Sequence, residues 1–230
     1  MKLFCILLFV LFVGSASAGP IDDAASAWER GDYAAELKIT RPLALKGEAW
    51  AQSALGDSYR AGEGVAKNDA EAVKWYRLAA AQGIASAQFT LGIMYEDGKG
   101  VLQDYAEAVK WYRLAAAQGN ARAQTNLGLM YDTGQGVLQD YAEAVRWYRL
   151  AAAQGNATAQ FNLGVMYDTG QGVLQDHIKA HALFNLAATK GNANAAKNRD
   201  IVTKRMTPKQ IADAQKLARD CLARNFKGCD

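Results

Sequence analysis

Residues 84–119 recur almost verbatim as 120–155 and 156–191, and more loosely as 48–83, which is a period of 36 residues. Self-similarity at a period of about 20 to 50 residues marks a chain built by stacking one supersecondary unit, because a single copy cannot bury its own apolar face. Four copies fill 48–191, so the remainder of the 230 residues flanks an array.

Within a copy, Ala87, Leu91, Met94 and Tyr95 recur at helical spacing, as do Ala108, Tyr112, Ala115 and Ala116. The unit is therefore helix, loop, helix, and the fold class is all-α. The joint is Asp97-Gly98-Lys99-Gly100-Val101, whose first glycine suits the left-handed position after a helix and whose Val101 packs back. Asp104, repeated as Asp140 and Asp176, stands where the second helix needs an N-cap, and Gly119 ends that helix. Gly92, Gly128 and Gly164 share a column, and the alanine run at 115–117 faces them, so the two helices can approach closely. Trp111, Tyr112 and Tyr95 are expected to fill the spaces between pairs.

Taken together, Ala87-Gln88, Leu91-Gly92, Tyr95, Gly98, Gly100-Val101, Asp104, Ala108, Trp111-Tyr112, Ala115-Ala116 and Gln118-Gly119 resemble the Sel-one-like repeat family. That family is related to the tetratricopeptide repeat, whose period is about 34 residues. The resemblance covers 31–191. It implies a right-handed superhelical solenoid with the first helices on the concave side, and adaptor or scaffold work on a protein or peptide partner. Cysteine-rich secreted relatives are described as penicillin-binding or weakly β-lactamase-like and carry a disulfide in each repeat. The repeats here have no cysteine, so that activity is the alternative reading.

The flanks divide into three segments. Residues 1–18 hold Lys2, an apolar run of 11 residues at 3–13, and Ala16-Ser17-Ala18, the pattern of a secretory signal peptide. A transmembrane anchor needs about 20 apolar residues, and Cys5 lies inside the run and not at the cleavage site, against a lipid anchor. The expected location is the periplasm or the outside of a bacterial cell, with no stable membrane insertion after cleavage. Residues 19–47 read as an N-terminal capping half-repeat, with helical segments at 22–30 and 33–46 around Gly31 and a break or kink expected at Arg41-Pro42. Residues 192–230 read as a C-terminal helical cap covering the open end of the superhelix. Its second helix opens with Thr207-Pro208-Lys209-Gln210, a capping box, and carries the stripe Ile211, Ala214, Gln215, Ala218 and Leu222.

Charge is uneven. Residues 192–230 hold nine Lys/Arg and four Asp/Glu, a net +5; without the leader the chain totals +2 (25 minus 23), which leaves 19–191 at −3. A basic tail can meet nucleic acid or anionic lipid, or simply be a solvated helical face. Export takes most nucleic acid out of reach, so no nucleic-acid partner is expected.

Motifs for chemistry are missing. The sequence contains no Ser-x-x-Lys, Gly-x-Ser-x-Gly or Walker loop, and each Gly-x-Gly follows a helix and not a strand, which removes the dinucleotide reading. His177 and His181 replace Tyr141 and Val145 at a spacing that can share a metal, but no Glu stands between them and no third ligand is indicated. With Leu183-Phe184 in place of Trp-Tyr, they read as variation of a terminal repeat. Glu71, Glu107 and Glu143 precede Lys74, Lys110 and Arg146 by three residues, the spacing of exposed ion pairs. No catalytic, cofactor or metal residues are assigned, and the expected function is non-enzymatic.

Comparing the copies with one another separates packing from recognition. Gln52/88/124/160, Leu55/91/127/163 and Tyr59/95/131/167 never change. The columns Trp50/Ser86/Arg122/Thr158, Ser53/Phe89/Thr125/Phe161, Ala54/Thr90/Asn126/Asn162 and Asp57/Ile93/Leu129/Val165 vary, and their spacing puts them on one helix face. The candidate protein-binding residues are Trp50, Ser86, Phe89, Arg122, Asn126, Phe161 and Asn162. The competing accounts are drift at solvent positions and, for the apolar members, burial between repeats.

Cleavage after residue 18 would leave two of the three cysteines, Cys221 and Cys229. An even count in an oxidising compartment favours a disulfide, and neither has a partner at zinc spacing. Closing so short a loop stabilises the tail by roughly 2 to 3 kcal/mol on the chain-entropy model. Intact mass of periplasmic material, alkylated with and without reductant, is expected to show two thiols protected until reduction; two freely alkylated thiols would rule out the bridge.

Overall fold

The computed structural model describes residues 19–224 and 226; the expected leader at 1–18 and Cys229 lie outside them. Among the described residues there are twelve helices and no strand, and the array is a helical repeat solenoid. In chain order they are α1 (Pro20–Glu29), α2 (Tyr33–Leu45), α3 (Ala49–Ala61), α4 (Asp69–Ala81), α5 (Ala85–Asp97), α6 (Tyr105–Ala117), α7 (Ala121–Thr133), α8 (Tyr141–Ala152), α9 (Ala157–Thr169), α10 (His177–Thr189), α11 (Ala193–Thr203) and α12 (Pro208–Ala223). The repeats pair α3 with α4, α5 with α6, α7 with α8 and α9 with α10, and each pair packs on the next.

Local chemistry sets these boundaries. Each second helix starts under a side chain that accepts from the first turn: Asn68 from Glu71 N, Asp104 from Glu107 N, and Asp140 and Asp176 from two amides each. First helices α7, α9 and α11 use Asn120, Asn156 and Asn192 in the same way. Gly62, Gly98, Gly134 and Gly170 end the first helices in the left-handed conformation, each amide bonding the carbonyl four residues back.

The second joint glycine does something different. A Cβ at Gly100 would lie 2.3 Å from the Asp69 carbonyl oxygen, and one at Gly136 or Gly172 would be as close to that of Tyr105 or Tyr141. Each joint thus rests on the first residue of the preceding repeat's second helix. Gly64 makes the same approach to Tyr33 at the start of α2, 36 residues before Asp69. The N-terminal segment therefore stacks in repeat register.

Within a pair, the ring of the second helix lies on the first helix's glycine. A Cβ at Gly56, Gly92 or Gly128 would meet the ring of Tyr76, Tyr112 or Tyr148 at 2.9, 2.4 or 2.7 Å, and one at Gly164 would meet Phe184 at 2.7 Å. Tyr112 thus lies on its own pair's first helix and also joins a cluster with Ala123, Leu127 and Met130 of the next repeat, so it packs both within and between pairs. Trp111 and Trp147 also bridge repeats: each packs into a cluster that joins its own first helix, at Leu91 or Leu127, to the preceding repeat's second helix.

One expectation about the flanks is corrected. The helix α2 runs through Pro42 to Leu45 without a break; Pro42 forgoes its own amide bond, but the turn after it closes, with Lys46 N donating to the Pro42 carbonyl at 3.2 Å. In the C-terminal segment both α11 and α12 pack on α10, the last second helix of the array. Ala182 of α10 stands where earlier repeats have Lys74, Lys110 and Arg146, so the outer surface of α10 is apolar. Ala218, Cys221, Leu217 and Phe226 cover it, which leaves Leu186 1% exposed, whereas Leu150 in the same column is 43% exposed.

The glycine–aromatic contact is directly testable. Gly128→Ala places a methyl group in the Tyr148 ring, and is expected to cost about 1 to 3 kcal/mol; a thermal melt unchanged from the parent would remove this packing role.

Candidate functional site

The unvarying columns prove to be structural. Gln88 donates to the Ala80 carbonyl of the preceding repeat at 3.0 Å and accepts from Gln118 of its own at 2.8 Å. Gln52 with Gln82, and Gln124 with Gln154, repeat the arrangement. The tyrosine column serves the same end: Arg77, Arg113 and Arg149 donate to the hydroxyls of Tyr95, Tyr131 and Tyr167 on the next repeat, at 2.5, 2.8 and 2.9 Å. These bonds tie neighbours together, so a residue type fixed across copies marks stacking, and recognition must be sought in the columns that vary.

The varied columns do not share one environment. Ser86 and Arg122 are exposed, as is Thr158. Phe89 is half-buried, with its ring 5.9 Å from that of Tyr112, and Phe161 likewise stands 5.8 Å from Phe184. Both rings are therefore part core. Asn126 and Asn162 are half-buried and hydrogen-bond the hydroxyls of Tyr112 and Tyr148 in the preceding repeats. Those hydroxyls also donate to carboxylates, Tyr112 to Glu96 and Tyr148 to Asp132 at 3.4 Å. Burial, reinforced by the carboxylates, holds both phenols far above the ordinary tyrosine range, so they remain donors at any physiological pH. Burial likewise raises the Asp132 carboxyl.

Four members of the varied columns converge on one cleft of about 310 Å³: Phe89, Thr90 and Ile93 of α5 and Arg122 of α7. Arg60, Lys67, Asp69, Met94 and Lys99 complete its lining. Three of its four cations are matched locally, Arg60 by Asp57 at 3.3 Å, Lys67 by Asp69 at 3.9 Å and Lys99 by Asp97 at 2.7 Å. Arg122 forms no ion pair among the described residues, so it is the charge available to a ligand. Lys67 and Lys99 lie on joints, outside a reading confined to helix faces; the signal was Lys99 standing where other copies have Gln135 and Gln171. Trp50 sits apart, in a second pocket with Ile21 and Trp28 of α1.

No group of three His, Cys, Asp or Glu able to hold a metal occurs among the described residues. His181 is buried in α10, whereas His177 lies 3.2 Å from Asp168.

With this geometry in place, the comparisons are specific. The Sel1 repeat pattern matches residues 51–84, 85–120, 121–156 and 157–192. A protective antigen present in uropathogenic Escherichia coli strains, displaying an SLR fold, is 34% identical with a TM-score of 0.78. That match covers 91% of this chain, which spans 47% of the antigen's length. A Sel1 repeat protein from Oxalobacter formigenes is 35% identical with a TM-score of 0.72, over 78% of this chain and 73% of that one. No curated protein sequence matches.

The placement of Phe89 changes what its removal should do. Phe89→Ser strips a half-buried ring from Tyr112 and is expected to cost about 1 to 3 kcal/mol by thermal or denaturant melting; a variant as stable as the parent would make the ring wholly a surface feature.

Proposed function

The chain belongs to the Sel1 repeat family, and from that premise we propose that it is a non-enzymatic scaffold, exported to the cell envelope of a bacterium or beyond it, that seats a peptide or protein segment on the varied face of its first helices. The family supports protein–protein interaction. The observation that carries the finer reading is the cleft in which Phe89, Thr90 and Ile93 of one repeat meet Arg122 of the next. It offers an apolar floor, a hydroxyl and one unmatched cation, the combination in which a buried anchor sets affinity and a polar rim sets register. Ser86 on α5 adds an exposed polar position on the same face. Asn126, Phe161 and Asn162 extend the face to the neighbouring repeats, the asparagines through the buried tyrosines they hold, while Trp50 lies apart in its own pocket.

Export rests on the leader pattern of residues 1–18 and on the cysteine pair. Cys221 is fully buried against Ala182 and Leu186, which suits a bridge to Cys229 that pins the tail to α10. No helix among the described residues is long and apolar enough to cross a membrane. One relative is described as a protective antigen, which accords with a location outside the cytoplasm. Nothing favours the penicillin-binding alternative.

The test is affinity capture of envelope proteins on the immobilised chain. Arg122→Glu is expected to reduce the retained partner at least tenfold by reversing the unmatched charge, while Lys110→Glu on α6 leaves capture unchanged. Equal retention by Arg122→Glu and the parent would show that this face does not bind.

A further inference from the structure

The pocket beside Trp50 is built differently from the rest of the array. It has a volume of about 280 Å³ and is lined by Ile21 and Trp28 of α1, Glu36 of α2, and Trp50, Ala54 and Asp57 of α3. Glu36 is 2% exposed and stands at a position where the later units carry Ala72, Ala108, Ala144 and Ala180, all fully buried. Around it the substitutions are concerted. Thr40 occupies the column of Tyr76, Tyr112 and Tyr148, Ser58 that of Met94, Met130 and Met166, and Asp57 that of Ile93, Leu129 and Val165. Losing a tyrosine and a methionine opens the space, and the new polar groups line it with negative charge.

The carboxylates lack a matching set of cations. Ser58 Oγ donates to Glu36 Oε2 at 3.5 Å, and Glu36 forms no ion pair among the described residues. Asp57 accepts from Tyr76 at 2.7 Å and pairs with Arg60 at 3.3 Å. Burial raises the Glu36 pKa, the hydroxyls of Thr40 and Ser58 lower it, and the charges of Asp57 and Glu63 raise it further. A carboxylate placed in a repeat core without a cation costs stability that the alanine of every later unit avoids. Two indole rings beside it supply π faces to which a desolvated cation is drawn. Trp28 is 39% exposed and edge-packed on Tyr33 at 5.2 Å, so it stands at the rim.

We propose that the pocket between α1, α2 and α3 binds an organic monocation carried on an apolar stem, with Trp28 and Trp50 as its aromatic faces and Glu36 and Asp57 as its counter-charges. This goes beyond the groove reading, because it stands whether or not the Phe89 cleft binds anything. The shared chemistry is met by a free alkylammonium or by a lysine or arginine side chain of a polypeptide.

The measurement is a titration followed by the indole N–H signals in proton–nitrogen NMR spectra, where Trp75, Trp111 and Trp147 serve as internal controls. Hexyltrimethylammonium is expected to shift the signals of Trp28 and Trp50 saturably, whereas hexanol does not. An N-acetylated, amidated heptapeptide with one central lysine is compared with the same peptide acetylated on that lysine. Movement by the lysine peptide as well as by the free ammonium, but not by the acetylated peptide, assigns the pocket to a side chain; movement by the free ammonium alone assigns it to a small molecule. Glu36→Gln is expected to weaken binding at least tenfold. Because the folded-state pKa of Glu36 is raised, its ionisation destabilises the fold as pH rises, so this variant should melt no lower than the parent at neutral pH. If it fails to fold, Asp57→Asn carries the same binding expectation. Hexanol binding as tightly as the ammonium, binding unaffected by the charge-removing variant, or no shift of the two indoles at millimolar ammonium would each overturn the proposal.

Discussion

The structure depends on how closely the two helices of a repeat approach one another. A tyrosine or phenylalanine ring of the second helix lies against the backbone of the first, and only glycine leaves room for it. Everything else in the unit follows from that distance. Alanines are buried in both helices because larger side chains would separate them, and the ring's hydroxyl, carried to the far edge of the pair, must find a partner there. It finds a carboxylate in each case, but not always in the same column: Asp57 for Tyr76, Glu96 for Tyr112 and Asp132 for Tyr148. The requirement for an acceptor is fixed, and the residue that meets it is free to move.

Stacking between repeats uses a second, polar mechanism. The glutamine pairs carry hydrogen bonds from one repeat's carbonyl to the next repeat's first helix and on to its own second helix, in a buried setting where each missing bond costs about 1 to 3 kcal/mol. The joints contribute a steric mechanism, since the second glycine of Gly-x-Gly allows the loop to sit on the preceding helix start. Apolar contact alone is tolerant of register. Hydrogen bonds and backbone contact at a fixed spacing are not, so these features hold the 36-residue period.

The fold was legible in the sequence because each of these constraints leaves a residue type repeated at one column. The caps Asp104, Asp140 and Asp176 and the glycines of the joints could be placed before any coordinates. The site was less legible, since a varied column combines different causes. Asn126 and Asn162 differ from Thr90 because they reach a neighbouring tyrosine. Thr125 became buried where its counterparts did not. Arg122 stands out only when its lack of an ion partner is known, and the joint residues Lys67 and Lys99 reach the cleft through tertiary packing that no helical wheel displays. The route of α12 was not legible, because its apolar stripe fixes a buried face without saying which neighbour buries it.

How the array ends follows from the same rules. With Phe184 in place of tyrosine, the last unit no longer needs a carboxylate under the ring, and Asp168 is released to meet His177 and Arg205, both at 3.2 Å. Lys190 replaces the glutamine of Gln82, Gln118 and Gln154; it donates to the Gly155 carbonyl and leaves Gln160 Oε1 without a partner among the described residues. Its ammonium stands 4.3 Å from the centre of the Phe226 ring, which also covers Leu186. Ala182 removes the charge that keeps other second helices in solvent. These substitutions remove a tyrosine hydroxyl, a glutamine pair and an exposed intrahelical ion pair, and the side chains left meet Arg205, Phe226 and α12. The array therefore stops where its last second helix has been converted from a solvent-facing surface into the seat for a helix that turns back, and α11, capped by Asn192 like the first helices before it, is followed among the described residues by a helix that packs mainly on α10.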